Sequence, residues 1–485
     1  MATKYSNSTH ESGLLTRLGF FTALMIVISS MIGSGVFKKI APMSLELGSP
    51  GLILLAWLLA GIITLFGSAT NAEIAGLIAE PGGQYAYFKK MYGKPFAFLY
   101  GWSCFAVIQS ASIASIAYVF AESVNSVVAL PHLSGTLESI TILGIFKPFE
   151  SSGVKGLTVL TILFLTTANY LGVVLGGNIT NVFTVLKVAG ILSVIMLGLA
   201  FGNNNFITDS NLFSYNSSNN TGTLGVFGAM FAAMLSAFWA YDGWNNIGYL
   251  GGEIRNPKKN IPVALYGGVA TVIVVYLVVN FVYLYVMPIE EIKSVAQTKN
   301  TIIAVEMMRK ILGNYGSLFI SLLIMVSTFG TTNGTVLASS RIYFAMARDG
   351  LFFKSAANCH PHFKTPHTSL IIQGLWASAL VLTGTFDQLT DMLIFASFIF
   401  YGAGAFGVFV LRKSMKDVHR PYKIFGYPFV PGFFVLFCFL LVVITIVQNP
   451  RDAGIGLALI FAGVPFAIFW RKKQRKKMNG IESSF

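Results

Sequence analysis

Residues 21–40 read FTALMIVISSMIGSGVFKKI. From Phe21 to Met31 the stretch is uncharged and mostly apolar, as a membrane helix is. Gly33-Ser34-Gly35 then falls where that helix should continue. Two glycines flanking a serine weaken the helix and free backbone groups. In hydrocarbon, freed groups persist only where protein covers them or a cavity solvates them. A break here is therefore expected to line a site. The amides beyond it start a second half-helix, whose positive end suits a carboxylate. Broken helices near the bilayer midplane mark secondary transporters. The plainer alternative is that Gly-x-Gly only lets two helices pack closely.

The rest of the chain is that of a polytopic membrane protein. Of its 485 residues, 54% are apolar and 11% charged, and the mean hydropathy is +0.69. Soluble domains carry about 25% charged residues. Windows of about 20 apolar residues predict about twelve spans. Their limits fall near 18–45, 49–78, 95–130, 156–171, 178–201, 224–250, 261–288, 313–345, 367–385, 388–411, 430–448 and 454–470. The fold class is thus an all-α membrane protein with about 12 transmembrane helices. Residues 1–17 form a polar tail without a cleavable signal pattern. Residues 471–485 form a basic tail that suits an anionic inner leaflet, not nucleic acid.

The net charge of +14 sorts by side. With the N-terminus inside, 23 Lys and Arg fall in inward segments and 9 in outward ones, with Lys187 inside a span. That bias puts both termini in the cytoplasm of a cell that holds the protein in its inner or plasma membrane. The three cysteines, Cys104, Cys359 and Cys438, form no CxxC pair. The outward loop 202–223 carries two glycosylation sequons, Asn216-Ser217-Ser218 and Asn219-Asn220-Thr221, which matter only in a eukaryotic secretory host.

A second interruption lies in span six, FAAMLSAFWAYDGWNNIGYLGGEIRNPKKNIP, residues 231–262. The apolar run stops at Tyr241-Asp242-Gly243 and ends at Gly251-Gly252-Glu253. An acid beside a glycine in mid-span is expected to face a cavity or a partner. Interruptions in spans one and six, five spans apart, point to a binding site between inverted repeats. The matched breaks alone carry that repeat, since the halves share no residue-by-residue similarity.

Taken in order, the motifs resemble the amino acid–polyamine–organocation superfamily and, within it, the L-type amino acid transporter family. Ile32-Gly33-Ser34-Gly35-Val36-Phe37 is similar to the family's first-helix signature. Ala72-Glu73-Ile74 and Glu80-Pro81-Gly82-Gly83-Gln84-Tyr85 resemble the end of its second helix and the loop beyond. Trp239-Ala240-Tyr241-Asp242-Gly243-Trp244-Asn245 resembles its broken sixth helix, and Glu253-Ile254-Arg255-Asn256-Pro257 the loop after it. Ser340-Arg341, Ala347-Arg348-Asp349-Gly350 and Arg420-Pro421-Tyr422-Lys423 are similar to later cytoplasmic motifs. The resemblance implies two inverted repeats of five helices, 18–201 and 224–411, then two further helices over 430–470. It implies an amino acid held between spans one and six, its carboxylate on the amides of Gly33, Ser34 and Gly35. The ammonium would meet carbonyls near Ser30, Met31, Phe238 and Trp239. Ile32, Ala240 and Asp242 complete the lining. Trp239 would gate the site, with Asn245 as a polar support and Phe398 of span ten closing it; the alternative for Trp239 is an interfacial or packing aromatic.

Lys187 sits mid-span within Phe183-Thr184-Val185-Leu186-Lys187-Val188-Ala189-Gly190. A lysine there is either functional or snorkels to an interface. In the resembling sodium-independent transporters, a lysine at this position stands where sodium-coupled relatives bind an ion. The expected function is sodium-independent exchange of mainly neutral amino acids by alternating access. Rival readings are a proton-coupled symporter using Lys187, a neutral and cationic exchanger, a non-transporting amino acid sensor and an intramembrane enzyme. For the enzyme the histidines are misplaced, all lying in tails, loops or span ends. Asp242 either draws cationic side chains or caps the second half-helix. Eukaryotic light chains of the family carry a cysteine between spans three and four that joins them to a glycoprotein heavy chain. Residues 131–155 contain none, so a stand-alone, bacterial-type member without a disulfide-linked heavy chain is expected. No cofactor is expected, and Cys359-His360-Pro361-His362 with His367 reads as a connector, since the spacing matches no strong zinc pattern.

Overall fold

The computed structural model describes residues 18–78, 80, 82–141, 148–202, 212–214, 225–297, 302–383, 386–470 and 472. The tail 1–17, Pro81 of the second-helix motif, both sequons and the tail beyond 472 lie outside the described residues. The elements are all helices. Among the described residues eleven are long and apolar enough to cross a membrane, and a further one, His367–Thr383, is apolar but shorter. That helix holds the place expected for span nine. Its 17 residues reach about 25 Å, so its flanks must complete the crossing.

Two spans are interrupted along their length. Span eight was expected to start at 313, and the helical run Ile303–Arg348 is kinked there: at Gly313, φ 61° and ψ −143° are non-helical, so a short lead-in helix meets the span at the expected position. The lead-in before the turn carries Glu306 and Arg309, paired at 2.7 Å, and is too polar to register as span. Span three, Lys94–Asn125, contains a π-helical turn over Cys104–Ile108. Such turns often mark functional positions; here Cys104 O accepts both the Gln109 amide and the Tyr343 hydroxyl, the latter at 3.3 Å.

The packing repeats itself. Span two (Pro50–Leu77) packs on span seven (Pro257–Val286), three on eight, and four (Ser152–Leu171) on nine. One packs on seven as six packs on two, and five packs on eight as ten packs on three. Exchanging each span with the one five places later maps these pairs onto one another. Five is odd, so the second set crosses the membrane in the opposite sense. Spans eleven (Phe429–Gln448) and twelve (Pro450–Trp470) lie against span ten (Phe386–Ser414).

Span five (Val173–Phe201) shows how a helix sorts its faces. Val182, Val185, Leu192 and Met196 are exposed, as lipid-facing residues are, while Thr184, Lys187, Ile191 and Val194 are buried. Spacings of three and four put each set on one face. The ends of spans one and six are tied together. The Leu18 amide donates to Glu253 O at 2.9 Å, and the Arg255 amide to Leu18 O at 2.8 Å. The Glu253 carboxylate also accepts from Arg341 Nε of span eight at 3.2 Å.

Arg341 is 0% exposed, so its charge depends on Glu253. Removing one partner of such a pair costs about 3–5 kcal/mol, whereas replacing both with apolar residues is often neutral. We predict that Glu253→Ala lowers the thermal unfolding midpoint of the detergent-purified protein by several degrees. Glu253→Met combined with Arg341→Met should recover most of the loss. A Glu253→Ala protein as stable as wild type would show that Arg341 does not need this partner.

Candidate functional site

Helix Phe20–Met31 ends at the predicted break and resumes as Gly35–Lys38 and Ile40–Leu47. Within the break the Gly33 amide donates to Met31 O at 2.8 Å, closing a tight turn. Ser34 is fully buried, and its Oγ has no hydrogen-bond partner among the described residues. The two glycines differ in role. A Cβ on Gly35 would stand 2.5 Å from Ala240 Cβ and 2.6 Å from Ala240 Cα, so the two broken helices touch backbone to backbone here. A Cβ on Gly33 would have 3.6 Å to its nearest neighbour, Thr331 Cγ2.

The sixth span breaks where expected. Helix Gly225–Tyr241 stops, Asp242–Asn245 forms turns, and Asn246–Tyr249 resumes. Gly243 has φ +91°, and a Cβ there would lie 2.7 Å from Ser30 O. Both its conformation and its proximity to the first break require glycine. The Asp242 carboxylate accepts from the Tyr401 hydroxyl at 2.6 Å and from the Gly243 amide. Asn245 Nδ2 donates to Tyr249 Oη at 3.2 Å, which lies 2.7 Å from Tyr100 Oη.

Lys187 is 0% exposed and does not snorkel. Its ammonium donates to Ile32 O and Thr331 Oγ1 at 2.8 Å, to Ser29 O at 3.0 Å and to Ser29 Oγ at 3.2 Å. The side chain thus faces the carbonyl end of the first half-helix. A second device serves both breaks. The Tyr276 hydroxyl of span seven is within 2.7 Å of Met31 O and 3.0 Å of Ala240 O.

The aromatic residues gather at the same level. Phe238 and Phe398 have ring centroids 4.6 Å apart. Trp239 is 8% exposed, with Lys39 Nζ 5.2 Å from its ring centroid. Ser30, Ile32, Gly35, Ala240 and Asp242 therefore lie around two touching breaks, with Phe398 and Lys187 against them. The four carbonyls expected near an ammonium are not equally open. Met31 O is engaged by Gly33 and Tyr276, and Trp239 O accepts the Asp242 amide at 3.3 Å. The Cys359–His362 loop is bound as a connector: His360 Nδ1 accepts the amides of His362 and Phe363 at 3.2 Å.

Four residues with direct contacts to the breaks were not read from sequence: Tyr276, Thr331, Tyr401 and Ser327, whose Oγ lies 3.3 Å from Gly33 O. A signal for two of them exists. Ser327, Thr328, Thr331, Thr332 and Thr335 form a buried hydroxyl stripe in span eight, costly in a membrane unless it faces something polar. Tyrosines in apolar spans carry no comparable signal.

The two glycines can be told apart by mutation. Gly35→Ala should abolish transport in proteoliposomes while the protein still inserts, because the added methyl forces the two breaks apart. Gly33→Ala should retain a substantial part of it. Equal loss in both variants would contradict the packing role given to Gly35.

The chain matches the amino acid permease family over residues 18–469. It is 32% identical over 470 residues to the serine/threonine exchanger SteT of Bacillus subtilis (strain 168), spanning 96% of this chain and 99% of that one. It is 31% identical over 450 residues to the b(0,+)-type amino acid transporter 1 of Mus musculus, spanning 91% of this chain and 86% of that one. It is 29% identical over 475 residues to the large neutral amino acids transporter small subunit 2 of Homo sapiens, spanning 97% and 83%. The broken, touching first and sixth spans belong to a multi-pass membrane transporter and not to an enzyme, and the chain is a member of the amino acid permease family.

Proposed function

We propose that the chain is a sodium-independent exchanger of mainly neutral L-amino acids, held in a cell membrane with both termini cytoplasmic. The observation that carries this reading is Lys187, whose ammonium sits on Ser29 O and Ile32 O. An ammonium there supplies the charge that a sodium ion would otherwise bring to these carbonyls. The exchange mode follows the similar protein named a serine/threonine exchanger. The charge bias among connecting segments supports the orientation.

In this reading the repeats are 18–201 and 224–411, and the substrate lies between the broken spans. Its carboxylate takes the amides of Gly33, Ser34 and Gly35, beside the unpartnered Ser34 hydroxyl. Its ammonium takes carbonyls at Ser30 and Phe238, and at Met31 or Trp239 once their present donors withdraw. Met31, Ile32, Phe238, Ala240 and Phe398 line an apolar side-chain space, Trp239 gates it and Asn245 supports the polar side. Asp242 is engaged by Tyr401 and Gly243, so it serves as a local cap and not as a reader of cationic side chains. Alternating access then moves the two breaks between two membrane faces.

Replacing sodium by choline outside proteoliposomes should leave amino acid uptake unchanged. Lys187→Ala should slow exchange roughly tenfold or more, because it leaves two buried carbonyls to share the Thr331 hydroxyl. A strict sodium requirement in wild type would sink the reading.

Substrate charge is tested by competition. Excess arginine should compete weakly with a labelled neutral amino acid, and equally weakly in Asp242→Asn. Strong competition in wild type that disappears in Asp242→Asn would instead make the carboxylate a side-chain reader.

A further inference from the structure

A cavity of about 170 Å³ lies between the second half of span one and spans six, ten and eleven. Leu235 and Ser236 line it. Trp239 follows them by four and three residues, so it is the next turn of the same helix face. The cavity therefore stands one turn above Trp239, on the membrane face opposite Leu18 and Ile254. Among the described residues its lining holds one cation, Lys39, and two carboxylates, Glu46 and Asp391. Lys39 is 3% exposed. Its ammonium donates to Thr390 Oγ1 of span ten at 3.3 Å and lies 5.2 Å from the Trp239 ring centroid. It thus stands between the cavity and Trp239 and connects three spans. Glu46, seven residues beyond Lys39, is on the same face of the half-helix two turns up.

We propose that this cavity is a second, outer site for a zwitterionic amino acid, in which Lys39 takes the carboxylate and Asp391 or Glu46 the ammonium. This rests on the reading of Trp239 as the gate over the central site. The volume equals that of about six liquid waters, enough for a small amino acid. A lysine ammonium is a compact point charge that a carboxylate can draw away from a hydroxyl and a ring face. The attraction is stronger at such a partly desolvated position than in bulk water. Binding of the carboxylate thereby draws Lys39 off Thr390 and Trp239, and the substrate itself releases the cover of the central site. An amine without a carboxylate leaves Lys39 where it is. Lys39 is accordingly a binding residue for access from one face only.

Exchange of a labelled neutral amino acid, measured separately at each face of oriented proteoliposomes, tests this. Lys39→Met should raise KM about tenfold at the face opposite the termini, the scale of one lost charge-assisted hydrogen bond. KM at the other face should stay unchanged, and Lys39→Arg should recover most of the loss. An equal change at both faces, or none, would overturn the proposal. Should Lys39→Met fail to insert, Ser236→Cys in a Cys359→Ser background gives an independent measurement, since Cys104 and Cys438 are buried. Saturating outer amino acid should slow labelling of the new thiol by a membrane-impermeant reagent; the corresponding primary amine should not. Adding Gly35→Val, which disables the central site, should preserve that protection. Loss of protection would place all binding at the central site and overturn the outer one. Normal transport by the Gly35→Val protein would instead defeat the central-site reading itself.

Discussion

A helix that stops inside hydrocarbon leaves carbonyls with no water to take them, and something in the protein must. Here that need is met chiefly by one ammonium. Lys187 reaches two carbonyls and a hydroxyl of the first span and a hydroxyl of the eighth. Without it, Ser29 O and Ile32 O would keep only Thr331 Oγ1, at 3.3 and 3.0 Å. The broken geometry of span one therefore depends on a residue more than 150 positions away. The same contacts join span five to spans one and eight.

Much of this was legible in the sequence. Gly33-Ser34-Gly35 and Asp242-Gly243 interrupt apolar runs, and a membrane forbids interruptions that do nothing. Lys187 was legible for the same reason, as a charge where charge is expensive. The number of spans followed from apolar length alone. Legibility failed where the physics is cooperative. Tyr276 bonds both breaks, yet a tyrosine among Val, Ile and Leu costs little and so does not stand out. The lead-in helix before span eight, which meets it at the non-helical Gly313, was not read because its polar residues do not resemble a span. The equivalence of Gly33 and Gly35 was also a limit of sequence. Only the distance to Ala240 separates a glycine required for close approach from one that is not.

Asp242 shows how a neighbour changes a charge's meaning. Read alone, an acid in a broken span attracts cations. The Tyr401 hydroxyl and the Gly243 amide occupy it instead. Tyr401 lies three residues beyond Phe398, one turn along span ten, and both rings face the sixth span at Trp244 and Phe238. One face of span ten thus sets both the apolar wall and the local electrostatics of the second break.

The Tyr276 hydroxyl has a single hydrogen and two carbonyls within reach, Met31 O and Ala240 O. It cannot satisfy both at full strength. Where the two breaks are drawn together, the hydrogen is shared and neither acceptor is fully bound. Met31 O also holds the Gly33 amide, so the phenol matters more to Ala240 O. Its one hydrogen couples the two breaks: a displacement of either against the other would alter which carbonyl it serves.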